Sequence, residues 1–85
     1  MAMTDEYGVH RPLADLPPGT RVIFRGVNAG RALSSRLAAM GLVKDVRLEV
    51  LQNSGHGPVL VRVHNTRIAL GRNEATKVLV EEIER

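Results

Sequence analysis

His10, His56 and His64 are the residues best suited to ligate a metal, and no two of them stand at the spacing a helix or strand would give a ligand pair. The chain has no cysteine, which excludes disulfides, thiolate metal sites and a cysteine nucleophile. Ser34 and Ser35 fall on the polar side of a helical pattern and Ser54 in a loop, so no serine is set against a histidine and an acid. Gly26-Val27-Asn28-Ala29-Gly30-Arg31-Ala32 has the outline of a phosphate loop, with a strand before it and a helix after. A nucleotide-hydrolysing loop needs four residues between its glycines and then Lys and Ser/Thr. Here three intervene and Arg31-Ala32 follows, which leaves neither the phosphate-binding lysine nor the magnesium hydroxyl. Glu81, Glu82 and Glu84 read as a solvated acidic terminus rather than an acid–base pair. These residues give no catalytic, cofactor-binding or metal-ligating set, and a binding module is expected instead of an enzyme.

The elements that would carry such a module are short. Arg36-Leu37-Ala38-Ala39-Met40-Gly41-Leu42-Val43 reads as the end of an amphipathic helix with an abrupt stop. Leu33, Leu37 and Met40 form its apolar stripe. Gly41 stands where a left-handed C′ residue is wanted, with Leu42 at C″, as in a Schellman stop. Alternating strands flank it: Arg21 to Val27 with Val22 and Phe24 inward, and Val46 to Leu51 with Val46, Leu48 and Val50 inward. Val59 to Leu70 reads as a hairpin. A two-residue turn at Asn65-Thr66 would set Val63 against Ile68 and Val61 against Leu70, with Arg62 opposite Ala69 and His64 opposite Arg67 on the other face. Asn73 to Thr76 resembles one helical turn before a last strand, Lys77 to Glu81, with Val78 and Val80 inward.

Residues 1–11 lack a pattern and are expected to be a flexible tail ahead of a single domain, 12–85, entered through the proline-rich Pro12 to Gly19 with Leu13 and Leu16 as anchors. Five short strands and one helix after the first are most economically buried as a closed or nearly closed β-barrel. Its core would be Val22, Phe24, Leu37, Val46, Leu48, Val50, Val61, Val63, Ile68, Leu70, Val78 and Val80. Eighty-five residues allow one small core. No apolar run approaches the ~20 residues of a membrane span, and Asp5 and Glu6 stand where a signal peptide carries positive charge. A soluble, cytoplasmic protein is expected.

The net charge is +3, but residues 16–80 carry ten Lys/Arg against Asp45, Glu49 and Glu74. A basic body of this kind suits an acidic protein surface, nucleic acid or solvent alone. Gly19 to Gly26 resembles the opening of a KOW-type nucleic-acid-binding barrel. However, the chain has only Tyr7 and Phe24 as aromatics, which is no base-stacking platform.

Taken in order, the motifs resemble the FeoA-like family of small SH3-like barrels. They are Leu13-x-x-Leu16-x-x-Gly19, Arg36-Leu37-x-x-Met40-Gly41-Leu42-Val43, Val46-x-Leu48-x-Val50, Gly57-Pro58-Val59, Thr66 to Leu70 and Glu74-Ala75-x-x-Val78-x-Val80-Glu81. Lys44-Asp45 replaces the family's frequent Pro-Gly turn, and Met40 stands where leucine is common. The resemblance implies a mainly β fold: a five-stranded SH3-like barrel with one short α-helix between strands 1 and 2. It also implies a cytoplasmic accessory of ferrous-iron transport without enzymatic activity or cofactor. Its partner would be the cytoplasmic GTPase portion of a FeoB-type transporter, and it would meet the membrane only through that transporter. The same barrel ends DtxR-type metal-dependent repressors, so a metal-sensing or metal-binding module, with weak Fe²⁺ or Zn²⁺ binding through His56 or His64, is the alternative beside nucleic-acid binding. Oligomeric state is not legible. A partner-binding surface is expected at the helix exit, with Met40, Leu42 and Val43 as its apolar part and Arg31, Arg36, Lys44 and Arg47 as its basic rim. Met40 and Leu42 fit equally well as the closure of the barrel's bottom.

Overall fold

Residues that alternate apolar and charged side chains form one antiparallel sheet in the computed structural model, which describes residues 10–83. The strands are β1 (His10–Pro12), β2 (Arg21–Val27), β3 (Arg47–Gln52), β4 (Val59–Val63), β5 (Thr66–Leu70) and β6 (Val78–Glu82), in the spatial order β1-β6-β2-β3-β4-β5. Helix α1 (Arg31–Ala39) follows β2, helix α2 (Arg72–Lys77) precedes β6, and Leu13–Asp15 form a 3₁₀ turn. The class is mainly β, as expected, but the sheet has six strands and is not closed, β1 and β5 being its edges. The additional strand lies partly in the expected tail: His10 and Arg11 pair with Glu81 and Val80. Three residues with no apolar alternation give no periodic signal, and Pro12 is tolerated because the strand is an edge. Residues 1–9 of that expected tail lie outside the described residues.

The core contains the expected side chains with one exception, Val46, which is only half-buried. Leu13, Ala14, Leu16, Leu42, Val59 and Ala75 join it. Leu13 and Leu16 therefore do anchor the proline-rich segment. That segment is fixed further by the backbone bonds Gly19 N–H to Val50 O (2.8 Å) and Val50 N–H to Thr20 O (2.9 Å), which lengthen the β2–β3 ladder at one end. At the other end Phe24 N–H donates to Val46 O and Asp45 N–H to Phe24 O, both at 2.8 Å.

The hairpin register differs from the expected one. Val61 faces Ile68, Arg62 faces Arg67 and Val63 faces Thr66, so the turn is His64-Asn65 and the pairing is displaced by two residues. Thr66 is β-branched and belongs in the strand, whereas His64 takes the positive φ of 58° that the two-residue connection requires. A two-residue displacement leaves every side chain on its expected face, which is why the inward pattern survives.

Candidate interaction surfaces

Helix α1 docks on the sheet through Leu37, its one buried residue. It ends as the sequence requires: Gly41 N–H donates to Ala38 O and Leu42 N–H to Leu37 O, both at 3.0 Å. That is the bonding of a Schellman motif, with Gly41 at φ +98° and Leu37 and Leu42 both buried beneath it. The consequence corrects the expected surface. Leu42 is 1% exposed and closes the core, while Met40 and Val43 remain outside at 39% and 48%. Arg36, although exposed, makes an ion pair with Glu74 of α2. Arg31 and Lys44 are exposed. Arg47 lies on β3 and lines a groove on the sheet's outer face.

The turn after α1 is fixed by Arg25. Its guanidinium bonds Glu81 on β6 (Nε to Oε1, 2.9 Å) and also pairs with Asp45, itself at φ 73°. The hydrogen bond to Glu81 is the main cause holding Arg25 above its ordinary pKa; the charges of Glu81 and Asp45 add to it, and burial opposes it. Asp45 thus takes a left-handed conformation that glycine would adopt most readily, aided by the tolerance of aspartate for it. The Gly26–Gly30 loop turns the chain into α1, with Asn28 N–H bonded to Lys77 O at 2.7 Å.

A second polar cluster, not foreseen from sequence, joins distant loops. The Asn53 side-chain amide donates to Ala14 O and Leu16 O, both at 2.8 Å, and its Oδ1 accepts from Arg72 Nη2 at 2.7 Å. Arg72 also donates to Gly57 O and Ala14 O, at 3.0 and 3.2 Å. Its partners are mainly backbone carbonyls, so the cluster is a structural staple. The histidines are dispersed, with His10 on β1, His56 in the β3–β4 loop and His64 at the hairpin turn. Among the described residues no group of three His, Cys, Asp or Glu could hold a metal.

The outer face of the sheet carries a row that only the true register reveals. Arg21 on β2 faces Glu49 on β3, Glu49 faces Arg62 on β4, and Arg62 faces Arg67 on β5. Arg47 follows two positions before Glu49, opposite Ile23. Arg21, Arg47, Glu49, Arg62 and His64 line a groove of about 320 Å³ with Ile83 at its side. Within it Arg62 Nη1 bonds Glu49 Oε1 at 3.1 Å.

This small sheet, with a helix between its second and third strands and a short one before its last, has the architecture of known SH3-like proteins. A FeoA from Stenotrophomonas maltophilia, solved in complex with zinc and described as an SH3-domain protein, matches with TM-score 0.70 at 34% identity, over 81% of this chain and 87% of its own. A second crystal structure, an iron uptake regulatory protein FeoA, matches with TM-score 0.82 at 28% identity, over 88% of this chain and 100% of its own. A Methanocaldococcus jannaschii protein named Fe(2+) transport protein A is 37% identical over 73 residues, which is 86% of this chain and 88% of the relative. The FeoA domain family matches residues 11–82, and the chain belongs to it. The family is one of ferrous-iron transport proteins, and no helix among the described residues is long and apolar enough to cross a membrane.

Proposed function

We propose that this protein is a cytoplasmic, non-enzymatic accessory of ferrous-iron transport that acts by binding the cytoplasmic GTPase portion of a FeoB-type transporter. The observation that carries this reading is the FeoA match across residues 11–82, which takes in nearly every described residue. The docking face is the exit of α1, where Met40 and Val43 are large, apolar and exposed. Lys44 stands beside them, and Arg31 lies at the start of the same helix. Exposed apolar side chains fixed by a rigid turn and flanked by the cation of Lys44 suit a small protein–protein contact. The Schellman stop and the Arg25–Asp45 pair supply the rigidity on either side. Leu42 is buried in the core, and the exposed Arg36 is paired with Glu74.

The nucleic-acid alternative has the basic sheet face in its favour, but the only described aromatic residue, Phe24, is 5% exposed and cannot stack on a base. The test is a pull-down of the transporter's soluble GTPase portion with the full chain. Capture by the wild type and its loss in Met40→Asp/Val43→Asp, with unchanged thermal melting, is the expected result. Equal capture by that variant would place the contact elsewhere, and no capture by the wild type would refute the partner.

A further inference from the structure

The arginines of this protein divide into two groups. Arg11, Arg25, Arg36 and Arg62 make ion pairs, and Arg72 is consumed by the Asn53 cluster. Among the described residues Arg21, Arg31, Arg47 and Arg67 make neither an ion pair nor a side-chain hydrogen bond; Arg31 lies on α1, and the other three project from the same sheet face as Arg62. Cations without partners normally spread apart over a surface. Their assembly on one rigid face creates a local positive field suited to anions.

The arrangement also says what kind of anion fits. Neighbouring strands lie ~4.8 Å apart, so Arg21 and Arg62, two strands apart, are separated by roughly 10 Å at the backbone. Arg47 is the diagonal neighbour of both, at roughly 7–8 Å. Glu49 sits between Arg21 and Arg62 and already holds Arg62. A compact dianion such as a phosphate group, drawn among these arginines, would meet the Glu49 carboxylate at close range. Separate carboxylates spaced along a chain avoid it. An extended peptide places every second side chain on one side at about 7 Å intervals, which matches the diagonal spacing. Ile83, 38% exposed, and half-buried Ile23 offer an apolar strip for the stems of such side chains, and no described Phe, Tyr or Trp is exposed to stack a base.

We propose that this face is a docking site for an extended acidic segment of a partner protein, whose carboxylates engage Arg21, Arg47 and Arg67 around the Glu49–Arg62 pair. The proposal does not depend on the partner proposed for the Met40–Val43 face. A failed transporter pull-down would leave it standing, and its own failure would leave the transporter reading intact.

The probe is a fluorescein-labelled peptide of alternating glutamate and threonine, titrated with the full chain and followed by fluorescence anisotropy at low and at physiological salt. Saturable binding is expected, weakening as salt rises. Arg21→Gln/Arg47→Gln/Arg67→Gln should lower affinity at least about tenfold, whereas Arg31→Gln/Lys44→Gln/Lys77→Gln, which removes the same formal charge elsewhere, should change it by no more than about twofold. None of these six side chains is in an ion pair among the described residues, so both variants should melt with the wild type. Equal losses in the two triple variants would show diffuse attraction and overturn the site. So would the absence of saturable peptide binding, or tighter binding of an oligothymidylate of equal charge.

Discussion

Leu37→Ala should remove most of what holds α1 to the sheet. Leu37 is fully buried and is the only buried residue among the nine of the helix. Truncation removes three carbons, worth about 2.4 kcal/mol at ~0.8 kcal/mol each. The space left behind adds to this unless it collapses, and Leu→Ala changes in cores cost about 2–5 kcal/mol. Collapse is opposed by Leu42, which the Schellman bonds hold against the same site. Alanine's better helix propensity returns only a few tenths of a kcal/mol, and so short a helix does not persist alone. A net loss of about 3 kcal/mol is expected, against a total of roughly 4–13 kcal/mol for a domain of this size. In urea, with a slope of ~1 kcal/mol per M, the unfolding midpoint should fall by about 3 M. The measurement is equilibrium unfolding by circular dichroism, with the exposed Ser35→Ala as a control expected within about 0.5 kcal/mol of wild type. A loss for Leu37→Ala below ~1 kcal/mol would refute the packing described for α1.

Gly41→Ala should destabilise by about 1–2 kcal/mol through its positive φ alone. An added Cβ would come no nearer than 4.0 Å to Val63 Cγ1, so Gly41→Asn, which tolerates left-handed backbone, should cost less; equal costs on thermal unfolding would point to crowding instead. Asn53→Ala should cost about 1–2 kcal/mol, because Leu16 O loses its side-chain donor while Ala14 O and the Arg72 guanidinium each lose one of their bonds. Hydrogen exchange should accelerate in the 53–57 loop and around Ala14, and unchanged exchange there would count against the cluster's role as a staple.

What was legible in the sequence followed from local rules of fixed geometry. The Gly41 stop is one: a helix ending on its apolar stripe and followed by Gly-Leu has few other ways to satisfy its last carbonyls. The in–out pattern of Val59 to Leu70 is another, since period-two alternation survives a displacement of two residues. The same displacement hid the basic face. With Arg62 set opposite Ala69 and His64 opposite Arg67, the arginines appear scattered; with Arg62 opposite Arg67 they form a row. β1 escaped notice because its pairing is made by the backbone, which leaves no mark on side-chain order. The Asn53–Arg72 cluster joins residues 19 positions apart through carbonyls that any residue would carry. Leu42 could not be assigned in advance because one residue past a helix end can turn inward or outward, and only the bond to Leu37 O decides it.

Uptake of radiolabelled ferrous iron by cells bearing the FeoB-type transporter, with and without this protein, tests the central claim most directly. Removing the protein should lower uptake, and the wild-type chain should restore it while Met40→Asp/Val43→Asp, folded and equally abundant, should not. Uptake that is unchanged by removing the protein would contradict its assignment as an accessory of ferrous-iron transport.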